Sequence, residues 1–284
     1  MGSKADFHCH STASDGRLSP TQLVDLAAKS GVRILALTDH DSTEGIAEAL
    51  AAASKYAGFT LVPGVELSTD IEGDEVHVVG FLQDVSSPEL QAALKRFRDG
   101  RFERGRKMTE RLAELGMPVD WKRVQEIAGD GAVGRPHVAQ AMVEAGHVKS
   151  LQEAFDLYIG RMGPAYVERI KMTPAEAVAT LRRFGAPPVL AHPRDIKALD
   201  AVLSELAPAG LAAMEVYYKD YDEETIARLA AVCQKFGLLP LGGSDYHALK
   251  GPGEKLPGDI PLPDHVIREF LDKELTWLAK ANLA

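Results

Sequence analysis

Cysteine is scarce in this sequence. Two residues, Cys9 and Cys233, cannot build a disulfide framework, which fits a reducing cytoplasm. No run approaches the ~18 uncharged apolar residues of a membrane-spanning helix, so no such span is expected. The opening Met1-Gly2-Ser3-Lys4 runs directly into Ala5-Asp6-Phe7-His8 without an apolar stretch, so no secretory signal is expected. Asp6 stands where a myristoylation motif carries Ser or Thr. A positive surplus is missing too. The 32 Lys and Arg against 41 Asp and Glu leave a net charge of −9. That balance argues against an indiscriminate grip on nucleic acid and against a stable nucleic-acid complex. The expectation is a cytoplasmic protein without membrane association.

What is present is an ordinary globular composition, 45% hydrophobic and 26% charged over 284 residues, enough for one large domain carrying an insertion. Seven β-type runs, at 5–10, 33–38, 60–67, 76–81, 188–191, 213–218 and 238–242, alternate with helical patterns. Their Val, Leu and Ile content suits strands covered on both faces, as in βα units around a parallel sheet. Ser19-Pro20-Thr21-Gln22 and Thr173-Pro174-Ala175-Glu176 read as capping boxes with proline at the first helical position. Asp41 and Glu44 are expected to open a helix reaching about Tyr56. The alternation breaks between about residues 87 and 171, where every pattern is helical. This predicts an inserted helical cap over 88–170 within a barrel formed by 1–87 and 171–284. A Gly/Pro-rich stretch at 250–263 is suited to an active-site loop.

The chemistry-bearing residues stand at strand ends. In His8-Cys9-His10 the two imidazoles share one face of a strand and Cys9 takes the other, where it reads as a small core residue. Asp15 follows just beyond. Thr38-Asp39-His40-Asp41 closes the second run, Gly64-Val65-Glu66 the third, Ala191-His192-Pro193 the fifth and Gly243-Ser244-Asp245-Tyr246-His247 the last, while His77 lies in the fourth. In (β/α) barrels the C-terminal strand ends meet at one mouth. Six of the nine histidines and three carboxylates would therefore converge, a set too large for chance and suited to binding metal.

These motifs, in this order from residue 6 to about 247, resemble those of the polymerase-and-histidinol-phosphatase (PHP) family. The resemblance implies a distorted (β/α)7 barrel and three divalent metal ions. One would be held by His8, His10, Glu66 and Asp245, a second by Glu66, His77 and His192, and a third by Asp15, His40 and His247. Manganese, iron or zinc would suit such mixed imidazole and carboxylate ligands. Three divalent ions against three carboxylates leave a positive centre that suits a phosphate ester, with metal-activated water attacking phosphorus and no covalent nucleophile.

Gly134-Arg135-Pro136-His137 opens a helix inside the insertion. By itself Arg135 reads first as a surface arginine beside a helix start. Together with Pro164-Ala165-Tyr166-Val167, the motif resembles a PHP branch that hydrolyses the 3′-phosphate of nucleoside 3′,5′-bisphosphates or trims short RNA from its 5′ end. The resemblance makes Arg135 a phosphate contact, with Lys171, His137 and Arg194 as further candidates. Arg194 also reads as a structural salt-bridge partner. The substrate implied is a small phosphorylated nucleotide or short oligonucleotide. Histidinol phosphate or another small phosphomonoester is the rival substrate, and a metal-stabilised interaction module the non-enzymatic alternative. Between residues 95 and 107 lie seven basic residues against two acidic ones. The run reads first as a solvated helix face and second as an RNA-backbone contact. Gly100 and Gly105 weaken that helix and leave room for a bend. Trp121 and Trp277 read as packing groups.

Overall fold

Seven strands form one sheet in chain order: β1 (Lys4–Asp6), β2 (Val32–Leu37), β3 (Thr60–Ile71), β4 (Asp74–Phe81), β5 (Pro188–Leu190), β6 (Ala213–Tyr218) and β7 (Leu239–Gly243). The computed structural model describes residues 4–71, 74–129, 131–168, 172–249 and 253–281. The sheet curls into a nearly closed barrel. Its two ends meet where Asp245 N donates to His8 O at 2.8 Å, His10 N donates to Tyr246 O at 2.9 Å, and Cys9 bridges Tyr246. Gly243 makes this closure possible, because a Cβ there would lie 2.5 Å from the Cβ of His8. Asp6 ties the seam. Its carboxylate accepts from the backbone N–H groups of His8, Ser244 and Gly258 at 3.2, 2.9 and 3.0 Å.

The sheet is mixed, which corrects the expectation of a parallel one. β1–β2–β3 and β5–β6–β7 pair in parallel, whereas β4 runs antiparallel to both of its neighbours. The reason is connection length: two residues separate β3 from β4, and a parallel return needs a dozen or more.

The barrel helices are α1 (Pro20–Lys29) and α2 (Ile46–Ala53) in the first half. The insertion then carries α3 (Pro88–Glu114), α4 (Trp121–Ala128), α5 (Arg135–Glu144), α6 (Leu151–Ala154) and a π-helical turn over Phe155–Ile159. After it come α7 (Pro174–Arg183), α8 (Leu199–Ala209), α9 (Glu223–Phe236), α10 (Asp264–Glu274) and α11 (Thr276–Ala281). Both expected capping boxes form, Ser19 with Gln22 and Thr173 with Glu176. The helix expected from Asp41 starts later, at Ile46, because Asp41 takes a left-handed φ of 51° that no first helical turn accepts.

Inside the barrel, Phe7, Phe81 and Phe270 meet edge to face with centroids 5.6–5.9 Å apart, so α10 plugs the strands' inward faces. The helices between β4 and β5 share a core, in which Leu112, Val124, Val138, Met142 and Ile159 pack together. α3 runs 27 residues as one unbroken helix, so the glycines serve packing and no break forms. At Gly105 a Cβ would come within 3.1 Å of Trp121 and Val133.

Candidate metal centre

The nine histidines and carboxylates of the strand ends come together in the structure. Glu66 is at the middle. Its carboxylate lies 3.2 Å from the Nε2 atoms of both His8 and His10, 3.0 Å from His40 Nδ1, 2.9 Å from His77 Nδ1 and 3.3 Å from His192 Nε2. Asp245 stands 3.1 Å from His10 and 3.5 Å from His8, and Asp15 stands 3.3 Å from His247 and 3.8 Å from His40. Among the described residues, three donor sets have all their ligand atoms within 4.8 Å of one another: His10, Asp15, His40 and His247; His8, His10 and Glu66; and His40, Glu66 and His77. His10 and His40 therefore straddle groups that the sequence pattern kept separate.

The cluster makes physical sense as a cation site. His8 Nε2 and His10 Nε2 approach to 3.0 Å, a separation at which two ring nitrogens can share at most one proton but can aim two lone pairs at one ion. His40 Nδ1 and Glu66 Oε2 are buried without a hydrogen-bond partner. Burial pushes the Asp15, Glu66 and Asp245 carboxyls up, yet the surrounding imidazoles, with Lys219 beside Asp245, hold all three well below the usual range. Burial disfavours the His10 imidazolium, and Asp245 and Glu66 reverse this, so its pKa is pushed up to about 10. Cations loaded here would displace such protons.

The supporting layer is as ordered as the donors. Glu215, buried on β6, accepts from His8 Nδ1 at 2.9 Å and from the His192 backbone N–H at 2.7 Å. It fixes the His8 tautomer and leaves Nε2 facing the centre. Asp39 holds Ser11 and Ser14 at 2.6–2.7 Å and so shapes the loop that presents Asp15. Tyr218 and Lys219 hold Asp245 Oδ2 at 2.6 and 2.8 Å, which leaves Oδ1 toward His10. Asp41, His192 and Asp245 all adopt positive φ, a sign of backbone shaped by site geometry.

Comparison with known proteins identifies the family. A PHP-domain model matches residues 6–120. A 5′-3′ exoribonuclease of Haemophilus influenzae is 36% identical, covering 94% of this chain and 98% of its own. A 3′,5′-nucleoside bisphosphate phosphatase of Chromobacterium violaceum is 35% identical over 88% of each chain. The chain belongs to the PHP family. A Bifidobacterium adolescentis protein assigned to the metal-dependent phosphoesterases has the same fold, with a TM-score of 0.86, 30% identity and coverage of 95% of this chain and 96% of that one.

Around the PHP centre, the insertion contributes guanidinium groups. A cavity of about 180 Å³ is bounded by Asp15, His40 and His77 on the barrel side and by Arg101, Arg104, Arg135 and Phe155 on the other. Arg135 bonds Glu75 at 2.5 Å and lies over the Phe155 ring. Arg101 bonds Asp41 at 2.5 Å and also Ser68, and Arg104 bonds the Val167 carbonyl at 2.7 Å. Sequence reasoning missed Arg101 and Arg104 as individuals. It missed Glu215 and Lys219 altogether. His137 Nδ1 accepts from Gly134 N at 2.9 Å and so caps its own helix. Arg194 lies apart from the other arginines, beside His192, paired with Asp195 and Asp220. Lys171 lies outside the described residues. Of the basic run, Lys95 and Arg106 form exposed helix pairs, whereas Arg98 reaches Glu44 and the Asp41 carbonyl.

Proposed function

We propose that this PHP phosphoesterase removes the 3′-phosphate of nucleoside 3′,5′-bisphosphates, converting adenosine 3′,5′-bisphosphate to AMP and phosphate, and trims short oligonucleotides from the 5′ end. The observation that carries this reading is the juxtaposition of two opposite sites. Asp15, His40 and His77 offer donors to cations, and Arg101, Arg104 and Arg135 offer guanidinium groups to an anion, around one cavity. A substrate with two phosphates fits both at once. Two relatives that cover 94% and 88% of the chain bear these activities in their names.

In this reading three divalent ions, manganese foremost, occupy the groups His8, His10, Glu66 and Asp245; Glu66, His77 and His192; and Asp15, His40 and His247. When bound, the ions supply water activation at neutral pH and offset phosphate charge. The chain's own residues do the rest. Glu66 and Asp245 keep donors aligned, Glu215 and Asp39 hold them, and the guanidinium of Arg135 exchanges Glu75 for the substrate's second phosphate. Hydrolysis forms one bond from the water oxygen to phosphorus and breaks the bond to O3′, which takes up a proton.

A substrate panel with manganese tests the proposal. Phosphate release from adenosine 3′,5′-bisphosphate should exceed release from 3′-AMP and from histidinol phosphate by about a hundredfold, the worth of two charge-assisted hydrogen bonds. Equal rates on the three would remove the second-phosphate site. No release from any substrate, and no mononucleotide from oligoribonucleotides, would sink the function.

A further inference from the structure

A second cavity, of about 330 Å³, is lined by His192 and shares no lining residue with the arginine-bounded one. The His192 ring is 5.1 Å from that of His77, which lines the arginine-bounded cavity. Glu75 lines this second cavity and bonds Arg135 across the boundary. The two spaces therefore flank one stretch of the metal centre. A phosphate monoester needs only one of them, because its phosphorus carries a single organic substituent. A diester carries two, and the second must leave the centre on another side.

The lining of this second space favours a flat, uncharged group. Arg194 lies 5.0 Å over the Tyr221 ring, and Tyr218 stands 5.2 Å from Tyr221 with the two ring planes 50° apart, so three flat groups adjoin one another. The Arg194 charge is met by Asp195 and Asp220 at 3.3 Å each, and the Lys219 ammonium rests on Asp245 at 2.8 Å. With Asp74, Glu75, Asp195 and Asp220 against two cations, the lining carries a surplus of carboxylates and makes a poor phosphate clamp. Aromatic and guanidinium planes are the surfaces on which unpaired bases stack.

We infer that this cavity is a downstream nucleotide subsite, which receives the nucleoside on the 3′ side of the cut bond in a short single-stranded oligonucleotide. The inference rests on the phosphoesterase reading above. The phosphorus there carries O5′ of the next nucleoside in place of a free oxygen. Water adds to phosphorus, the bond to O3′ breaks and O3′ takes a proton. The products are a 5′-mononucleotide and an oligonucleotide shortened by one, with a 5′-phosphate.

The test compares two substrates on the manganese-loaded protein, adenosine 3′,5′-bisphosphate and the 5′-phosphorylated dinucleotide pApA. Tyr221→Leu should lower kcat/KM for the dinucleotide about tenfold, the size of one lost stacking contact, and change the bisphosphate less than twofold. Tyr221→Phe keeps the ring and should retain dinucleotide cleavage. The subsite is overturned if Tyr221→Leu leaves the dinucleotide unaffected, if both substrates fall equally, or if Tyr221→Phe behaves like Tyr221→Leu. It is also overturned if selective loss appears instead in Arg17→Ala, which alters the separate cavity beside Asp15. Absence of phosphate release from the bisphosphate by the unmodified protein would count against the proposed function, a result distinct from each of these.

Discussion

The barrel mouth and the helical insertion face each other with opposite chemistry. The mouth presents imidazoles and carboxylates crowded so closely that His40 Nδ1 and Glu66 Oε2 have no hydrogen-bond partner. The insertion presents guanidinium groups, each already engaged by an oxygen: Arg101 by Asp41, Arg104 by Val167, and Arg135 by Glu75. A site short of cations is thus set against one whose anion contacts are filled by the protein's own groups. Carboxylates such as Glu75 can be exchanged for phosphate oxygens at modest cost, because the arginines are already aimed. At the mouth the internal cations are the Lys219 ammonium on Asp245 and the protons held by imidazoles such as His10.

The largest effect should come from breaking the mouth itself. Asp245 touches His8, His10 and His247 within 3.5 Å and is braced by Tyr218 and Lys219. Asp245→Asn keeps the shape and removes an anionic donor, so turnover should fall at least about a thousandfold. The fold should persist by circular dichroism, with a lowered melting temperature in the metal-free protein because Lys219 loses its carboxylate partner. Full activity in this variant would contradict the assignment of the mouth.

The next effect tests whether the supporting layer matters as the geometry says. Both Glu215 oxygens accept, one from His8 Nδ1 and one from the His192 backbone N–H. Glutamine has a single acceptor, so Glu215→Gln sets an amide N–H against a donor. Metal affinity of the groups containing His8 and His192 should weaken about 10- to 100-fold, while the group of Asp15, His40 and His247 stays loaded. Metal content after gel filtration reads this directly. Uniform loss or no loss would show that Glu215 is only a core residue.

On the insertion side, Arg135→Ala should raise KM for adenosine 3′,5′-bisphosphate about thirtyfold, corresponding to roughly 2 kcal/mol, within the range for a charge-assisted hydrogen bond. It should leave 3′-AMP hydrolysis nearly unchanged. A parallel loss on both substrates would move Arg135 from the second phosphate to the reacting one.

The same contrast explains what could be read in the sequence. Mouth residues stand in short motifs at strand ends, and strand alternation alone placed His8 and His10 on one side. The antiparallel β4 was missed because direction was read from the apolar runs and not from the gap between the third and fourth, which is too short for a parallel return. The insertion was harder. Arg98, Arg101, Arg104 and Arg106 look alike in composition, yet the buried positions Leu90, Leu94, Arg104, Met108 and Leu112 share a helix face with Arg101. Helical spacing, applied to charged as well as apolar residues, would have singled out Arg101 and Arg104. Glu215 carried a comparable signal, a lone carboxylate in the apolar run of β6. Asp41 gave none, because its left-handed backbone answers to Arg101, a partner sixty positions away.

The smallest predicted effect separates the two regions by what stabilises them. Gly105 on α3 would gain helix propensity on mutation to alanine, a benefit of about 1 kcal/mol in an open helix. Here the added Cβ meets Trp121 and Val133 at 3.1 Å, and Trp121 is itself held edge to face by Phe102 with centroids 5.0 Å apart. Overpacking of this kind costs about 1–3 kcal/mol, so Gly105→Ala should lower stability by about 1 kcal/mol net. Because the insertion core contains no metal donor, the decrease measured by denaturant titration should be the same with and without manganese. A decrease seen only in the metal-loaded protein would mean that insertion packing and the barrel mouth are one energetic unit. Equal decreases would make the insertion an independently packed body that meets the centre through its arginines.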